Sequence, residues 1–362
     1  MQPWMLVEGG PDAAGFTARF ESVGRKLPGR RLTTAELMAS TRHRTSIDLE
    51  RLTGIRERRV CGDGEDSLTL AIDAARDCLS RSRHAAADLD MIIGAGITRH
   101  DGRAIHRFEP PLSLLVKEAI GAHRAVNFDV SNACAGMLTG VFLLHDQIRR
   151  GAIQRGMVVS GELISGLGSN AARSIRSILS LELASLTLGD AGAAVIVERA
   201  AAGQPGIALI GFTTVAEHSR LCIGLPAAHQ PGAKMFTRAR KIHQVAIEDS
   251  PALFEQILAE AHLPLAEIDW LIPHQTSVRA IRSGEKVLAS RLGAGPKHVV
   301  VTVDEYGNTA STTLFLALHR CLSEGKLERG DRVALLSLAS GLEIGVCIFV
   351  VDELRDTHGN TH

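Results

Sequence analysis

Short apolar runs alternate with longer amphipathic stretches along this chain. Runs that are apolar at nearly every position are typical of strands buried on both faces of a sheet. The stretches between them carry the apolar periodicity of helices that bury one face. The pattern therefore predicts an α/β protein. In the first half the predicted strands are Asp90–Gly96, Val126–Val130, Gly156–Gly161 and Gly192–Glu198, and the predicted helices are Ser67–Ser80, Pro111–Ile120 and Ala135–Arg150.

The second half of the chain repeats this order of strands. The first strands of the two halves begin 179 residues apart, at 90 and 269, and the third strands lie 175 apart, at 157 and 332. Any α/β chain repeats loosely, but four matched strands in order favour a duplication. We therefore predict two similar halves, residues 1–200 and 201–362, with peripheral ends at 1–30 and 353–362. The repeated strands are Asp269–His274, Val299–Val303, Arg332–Ser337 and Gly345–Val351.

Composition narrows the class of protein without naming a function. The 362 residues are 45% hydrophobic and 22% charged, which is ordinary for a globular protein. Forty basic residues balance forty acidic ones, so net charge points neither to nucleic acid nor to an anionic membrane. No apolar run reaches the roughly 18 to 20 residues that span a bilayer. Six cysteines without a CxxC pair argue against disulfides or zinc and predict a reducing, cytoplasmic compartment.

Cys134 lies where a predicted strand ends and a predicted helix begins. Free backbone N–H groups and the helix dipole favour a thiolate at such a position, and a thiolate attacks carbonyl carbon. The alternative is that Cys134 is a small buried hydrophobic residue. Asn308 follows the matching strand 174 residues later, and His274 ends another strand of the second half. If the halves face each other across a pseudo-twofold axis, these three side chains share one pocket.

Six short motifs in a fixed order resemble those of the type III ketoacyl-ACP synthase family of thiolase-fold condensing enzymes. The resemblance runs from about residue 53 to residue 351, and it implies a duplicated five-layer αβαβα fold and a homodimer. The motifs are Thr53–Arg59, Ser131–Gly136, Leu188–Ala194, Ile272–Gln275, Tyr306–Thr309 and Ser340–Leu342.

The resemblance also implies roles for individual residues. Cys134 would take an acyl group from a first thioester, and the backbone N–H groups of Cys134 and Ser340 would form the oxyanion hole. Each such donor typically lowers the barrier by about 3 kcal/mol. His274 and Asn308 would bind the carbonyl oxygen of a second thioester and stabilise its enolate. That carbanion would attack the acyl-Cys134 and form a C–C bond, as in an acyltransferase of lipid or polyketide metabolism.

Departures from the common family pattern point to a subgroup. The family's usual His-Gln-Ala-Asn is His274-Gln-Thr-Ser here, and Asp48 stands where members that prime fatty acid synthesis carry a Trp for the coenzyme A adenine. Phe108-Glu109-Pro110 is similar to a segment of olefin-pathway (OleA-type) enzymes, in which the Glu reaches across the dimer interface and removes an α-proton. Without that resemblance, Glu109 would be read as a solvated loop carboxylate. The longer insert before Phe108 is more similar to ketosynthases that form resorcinols and pyrones.

Arg56 and Arg58 could contact a phosphate of coenzyme A or phosphopantetheine, or could form an exposed charged turn. We expect no metal and no cofactor, with acyl-CoA or an acyl carrier protein as the substrate-bearing partner. The sequence leaves open chain length, carrier and pathway.

The sequence also leaves competing functions open. Within the family, head-to-head Claisen condensation competes with decarboxylative extension by a malonyl-ACP, and with ester or amide formation from the same acyl-enzyme. A non-catalytic partner subunit is a different class of function, which the intact Cys134, His274 and Asn308 argue against. A thioesterase is weaker still, because no residue obviously delivers a hydrolytic water.

Overall fold

Strands and helices alternate along the chain in the structure, a computed structural model that describes residues 4–7, 15–43, 45–102, 105–260 and 262–358. The strands are β1 Trp4–Val7, β2 Ala18–Lys26, β3 Arg30–Thr33, β4 Glu57–Val60, β5 Met91–Gly94, β6 Val126–Asp129, β7 Arg155–Glu162, β8 Ala191–Arg199, β9 Ile207–Thr214, β10 Cys222–Pro226, β11 Ala233–Thr237, β12 Trp270–Pro273, β13 His298–Val299, β14 Arg332–Ala339 and β15 Glu343–Val350. The helices are α1 Thr34–Ala39, α2 Leu49–Thr53, α3 Ser67–Arg81, α4 Leu112–Ile120, α5 Gly136–Arg149, α6 Ser165–Ser174, α7 Ala239–Glu260, α8 Val278–Leu292, α9 Val303–Tyr306 and α10 Thr313–Ser323.

Two mixed sheets carry the fold, and the five strands of the first match five of the six strands of the second in order. One runs β2-β8-β7-β5-β6, and the other runs β1-β9-β15-β14-β12-β13. In both sheets the central pair is parallel, β5 with β7 and β12 with β14, and the next strand, β8 or β15, is antiparallel. The predicted α/β fold class and the repeated order of strands are confirmed. The division at residue 200 stays a prediction.

Five layers result from helices on both faces of each sheet. One core lies between the sheets and includes α5 and α10, a second lies under α3 and α4, and a third lies under α7 and α8. Small residues bring α3 very close to the first sheet: a Cβ at Gly161 would lie 1.9 Å from the Ser67 carbonyl oxygen. Helix α3 begins at a capping box in which Asp66 and Thr69 bond each other's backbone N–H. The layering is the αβαβα arrangement that the sequence predicted.

Two predictions about exposure are wrong. β6 was expected to be buried, but it is the last strand of its sheet, and Val126 and Phe128 are 61% and 37% exposed. β2, within the predicted peripheral end, instead pairs with β8 and has seven buried residues. Its pattern misled because Arg19 and Glu21 are buried in it, Arg19 with ion pairs to Glu198, Asp352 and Glu353. The other parts of the predicted ends include residues outside the described ranges.

Matching turns precede α5 and α10 and show how the two halves correspond. A 3₁₀ turn at Ala133–Ala135 leads into α5, and one at Ala310–Thr312 leads into α10. Each turn begins with an alanine in the left-handed region, with φ 44° at Ala133 and 54° at Ala310. The structural counterpart of Cys134 is therefore Ser311, 177 residues on, and not Asn308 as the spacing of 174 suggested. Asn308 lies three residues before Ser311.

Candidate active site

One large cavity of about 1750 Å³ contains the predicted reactive residues. Cys134, His274, Asn308 and Ser340 all line it, although they come from four separate segments of the chain. Cys134 and Asn308 lie in the turns before α5 and α10, His274 follows β12, and Ser340 follows β14. The structure thus brings together the nucleophile and the two polar partners that the sequence singled out.

Cys134 is partly buried and packs against an apolar cluster that includes Leu188 and Ala310. Burial raises the pKa of its thiol well above the ordinary range, and the negative charge of the nearby Glu162 raises that pKa further. The dipole of α5 was expected to favour a thiolate here, but the apolar surroundings outweigh it. Cys134 is therefore a thiol in the resting protein.

His274 is buried, and its backbone N–H donates to the Leu336 carbonyl of the neighbouring strand at 2.8 Å. The next side chain, Gln275, donates to the carbonyls of Pro273 and Val300 and fixes the turn. Burial lowers the pKa of His274 to about 4, so the imidazole is neutral near pH 7. Within the described chain its Nδ1 has no hydrogen-bond partner. A neutral ring nitrogen that carries hydrogen can donate to a substrate oxygen without a change of charge.

Asn308 is held by hydrogen bonds at both ends. Its backbone N–H donates to the Thr187 carbonyl at 2.9 Å, and its own carbonyl accepts from the Gly189 N–H at 3.0 Å. The side-chain Oδ1 accepts from the Ala310 N–H at 3.0 Å. With Oδ1 occupied, the Nδ2 amide group is the free end of the side chain, a hydrogen-bond donor for a ligand in the cavity.

The other predicted site residues do not line the cavity. Glu109 is exposed, although its neighbours His106 and Phe108 do line it. Arg56 is exposed and pairs with acidic residues of α9 at 2.9 and 3.2 Å. Arg58 is 1% exposed and donates to the Leu186 carbonyl and the Thr34 hydroxyl, and burial lowers its pKa to about 10. The structure thus contradicts the suggested phosphate contact of Arg58, because the guanidinium lies inside the protein.

The cavity wall has two apolar regions. The ribbon region consists of residues 178–188 and the β10–β11 ribbon, with Leu179, Leu181 and Met235. The helix region lies between α7 and α8 over the second sheet, with Phe254 and Leu288. Basic side chains of Arg238, Arg240, Lys241 and Arg279 also line the cavity.

A buried carboxylate near the nucleophile was missed by the sequence reasoning. Glu162, the last residue of β7, is 0% exposed, and it hydrogen-bonds Thr98, which lines the same cavity as Cys134. It ends an apolar strand, and no motif marks it. Within the described ranges, no group of three His, Cys, Asp or Glu could hold a metal ion. Nor does that part of the chain contain a helix long and apolar enough to cross a bilayer. The expected absence of a metal and of a cofactor stays a prediction.

A five-layer fold with this cavity defines the class of thiolase-fold condensing enzymes, and comparisons with known proteins identify the family. Residues 128–217 match the family model of 3-oxoacyl-[acyl-carrier-protein (ACP)] synthase III, and residues 258–351 match that of its C-terminal part. Beta-ketoacyl-[acyl-carrier-protein] synthase III of Symbiobacterium thermophilum is 32% identical over 323 residues, 83% of this chain and 92% of that protein. The protein of that name from Synechococcus sp. is 30% identical over 340 residues, 90% of this chain and 95% of that protein. The chain belongs to the β-ketoacyl-ACP synthase III family.

Solved structures agree with this fold. A histidine-to-asparagine variant of OleA from Xanthomonas campestris has a TM-score of 0.80 at 22% identity. The match covers 92% of this chain and 98% of that one. The 3-oxoacyl-[acyl-carrier-protein] synthase III of Aquifex aeolicus has a TM-score of 0.77 at 24% identity, covering 93% and 100%. As a member of the β-ketoacyl-ACP synthase III family, the protein is an acyltransferase of the condensing type.

Proposed function

We propose that the protein loads an acyl group from a thioester onto Cys134 and condenses it with a second acyl or β-ketoacyl thioester by Claisen C–C bond formation. The observation that carries the proposal is the meeting of Cys134, His274 and Asn308 on one apolar cavity. A nucleophile beside two neutral hydrogen-bond donors suits acyl transfer followed by enolate formation.

In the first half-reaction the sulfur of Cys134 attacks the thioester carbonyl and the thiol of the carrier leaves. The backbone N–H groups of Cys134 and Ser340 would stabilise the tetrahedral oxyanion. In the second, His274 and the Nδ2 of Asn308 would donate to the carbonyl oxygen of the other thioester. Both groups are neutral, so they would stabilise the enolate that forms rather than bind an anionic ground state.

The size of the cavity supports two acyl chains rather than one short primer. Its volume, about 1750 Å³, exceeds the roughly 300–1,000 Å³ of most small-molecule sites. Its two apolar regions offer a separate surface to each chain. Xanthomonas OleA, similar in fold, has been solved with bound lauric acid and lauroyl-CoA. The basic lining residues suit the phosphates of coenzyme A or the acidic surface of a carrier protein.

Glu109 would act as the base that removes the α-proton of the second chain. It is exposed in a single chain, so it needs a second surface to shield it and raise its basicity. The helix that follows it, α4, is tied to β6, because Asp129 accepts from the N–H groups of Leu112 and Ser113. A partner subunit on the exposed β6 edge would therefore lie near Glu109. We propose a homodimer of this kind, in which Glu109 serves the partner's cavity.

Product analysis by mass spectrometry tests the reaction. The protein would be incubated with one medium- or long-chain acyl-CoA and no malonyl thioester, beside Cys134→Ala. A β-keto acid or its ketone built from two acyl chains, formed only by the unmutated protein, is the expected result. Glu109→Gln should abolish this product without preventing acylation of Cys134. The matched control is Glu118→Gln, because Glu118 is exposed on α4 outside the cavity.

Decarboxylative condensation is the second candidate, because the two relatives above carry the name β-ketoacyl-ACP synthase III. Acyl-Cys134 that forms product only after malonyl-ACP is added would establish it. In that case Glu109→Gln should have no effect on turnover, since loss of CO₂ creates the carbanion and no α-proton has to be removed.

A further inference from the structure

Glu162 is a fully buried carboxylate that the proposed reaction does not use. Its Oε1 accepts from the Ile97 N–H at 2.9 Å and from the Ser311 hydroxyl. Its Oε2 accepts from the Thr98 N–H at 3.0 Å and the Thr98 hydroxyl at 2.7 Å. Two donors on each oxygen suit an ionised carboxylate, which only accepts. Glu162 is therefore a junction between β7 and two other segments.

Both of those segments belong to the cavity. Ile97 and Thr98 line it directly. Ser311 lies in the turn that follows Asn308, and its hydroxyl also contacts Ser160 of β7 at 2.8 Å. The N–H group that holds the Asn308 side chain belongs to Ala310, the residue just before Ser311. A displacement of Ser311 would therefore move the donor that orients the Asn308 amide.

Because the two halves are duplicated, the position of Glu162 can be compared with the matching position in the second half. β7 and β14 are matching strands of eight residues, and they end at Glu162 and Ala339. The turn of Cys134 packs near β14, and the turn of Ser311 packs near β7. Each turn therefore lies against the opposite half's strand end. Cys134 and Ala339 both line the open cavity, whereas Ser311, the counterpart of Cys134, hydrogen-bonds the carboxylate of Glu162.

We propose that Glu162 is a positioning residue that aligns Asn308 with Cys134 by anchoring Ser311, the pseudo-twofold counterpart of the nucleophile. The inference rests on the proposed function for the role of Asn308. Glu162 touches neither substrate nor the reacting atoms in this scheme. It acts through the Ser311 turn on one side and the Ile97–Thr98 segment on the other.

Two effects of Glu162→Gln distinguish positioning from mere structural support. The glutamine side chain must turn its NH₂ group toward a backbone N–H group, because Ile97 and Thr98 donate to the two different oxygens of Glu162. Two donors cannot bond each other, so the contacts that join β7 to these segments weaken. The same change removes a carboxylate whose negative charge raises the pKa of Cys134, a charge that burial itself reduces by raising the pKa of Glu162. The thiol of the variant should therefore ionise and react more readily, while condensation becomes slower.

The experiment measures three quantities on Glu162→Gln and Ser311→Ala: iodoacetamide alkylation of Cys134 against pH, acylation of Cys134 by an acyl-CoA, and condensation. We expect Glu162→Gln to alkylate faster at pH 8, to acylate within about threefold of the unmutated rate, and to condense roughly tenfold or more slowly. Ser311→Ala should slow condensation alone, because it leaves the charge in place. The double variant should be no slower than Glu162→Gln, because the two residues act through one hydrogen bond.

Asp190→Asn is the matched control for the loss of a buried carboxylate. Asp190 is also fully buried and accepts from the N–H groups of Cys61, Ile164 and Ser165, but it does not line the cavity. It should lower the melting temperature and reduce acylation and condensation together. The same parallel loss in Glu162→Gln, or unchanged condensation, would overturn the inference. If the unmutated protein is acylated but condenses nothing, the proposed function fails. A crystal structure of Glu162→Gln then decides the inference, which an unmoved Ser311 turn and an unmoved Asn308 amide would refute.

Discussion

Burial sets the charge of each reactive side chain in the cavity. It raises the pKa of the Cys134 thiol and lowers that of the His274 imidazole, so both groups are neutral near pH 7. A neutral pair differs from a thiolate–imidazolium pair, in which each charge would stabilise the other. In the proposed reaction, the proton of Cys134 must therefore leave during acylation itself. The pH dependence of the thiol is the direct measure of this arrangement.

Alkylation of Cys134 by iodoacetamide should rise continuously between pH 7 and pH 9 without reaching a plateau, because only the thiolate reacts and the raised pKa keeps its fraction small. His274, with its pKa near 4, stays neutral over this range and should add no step between pH 5 and pH 8. Peptide mass spectrometry at each pH would follow the modification, with Cys134→Ala as the blank. A plateau below pH 8 would contradict the prediction.

Motifs were sufficient to predict that Cys134, His274 and Asn308 share one pocket, and in the structure all three line the same cavity. They were insufficient for Arg58, whose burial depends on segments far along the chain, such as the Leu186 carbonyl it bonds. The role of Glu162 depends in the same way on contacts with residues 64 and 149 positions away. A motif of adjacent residues can identify a candidate nucleophile, whereas the burial and the partners of a charged side chain depend on residues far along the chain.

Among the elements, helix α8 shows how one residue shapes a binding wall. Gly284 lies in the middle of this helix and lines the helix region of the cavity, and a Cβ there would meet no atom within 4 Å. Glycine inside a helix costs about 1 kcal/mol relative to alanine. The cost is consistent with a requirement for space beside α8, which a second acyl chain would fill.

Gly284→Leu should fill part of the helix region and shift the products toward shorter chains, with KM for a long-chain acyl-CoA raised roughly tenfold, as for loss of about two buried methylenes of contact. The fold should remain stable, since leucine favours a helix more than glycine does. Product chain lengths by mass spectrometry check the shift. Ser290→Leu, on the exposed face of the same helix, is the control. Equal products from both variants would exclude an acyl chain from this region.

The repeated order of strands along the chain followed from the sequence because strands buried on both faces appear as short apolar runs. Edge position did not follow, since the Val-Asn-Phe-Asp sequence of β6 does not show that this strand has a neighbour on one side only. β2 was missed for the opposite reason, because its buried Arg19 and Glu21 mimic an exposed segment. The pattern of residues in a strand indicates how hydrophobic the strand is, and it does not predict which strands will pair with it.

At the scale of the whole molecule, the exposed edge of β6 indicates association. An apolar strand edge left unpaired is an unstable surface for a protein in water, and closed symmetric pairing is the commonest way to cover it. Val126 and Phe128 present apolar side chains there. The proposed homodimer would extend the first sheet across two chains and bring Glu109 under cover.

Phe128→Lys should convert the proposed dimer into a monomer of about 38.7 kDa by placing a charge on this edge, as light scattering after gel filtration would show. Head-to-head condensation should fall with it, since Glu109 would lose its shield. Ile223→Lys is the control, because Ile223 is an exposed hydrophobic residue on β10 that does not line the cavity. A monomeric unmutated protein, or a Phe128→Lys dimer, would refute the proposed interface.

The left-handed alanines at 133 and 310 have a thermodynamic consequence for the evolution of this fold. An L-residue held at such φ values costs on the order of 1–2 kcal/mol, and glycine would relieve that cost. Both turns nevertheless carry a methyl group, which restricts the backbone beside Cys134 and Ser311. The chain thus trades thermal stability for rigidity at two symmetric points. Selection for heat resistance alone would favour glycine at positions 133 and 310. The backbone beside Cys134 and Ser311 would then be less restricted, and catalytic precision is the property that would be lost.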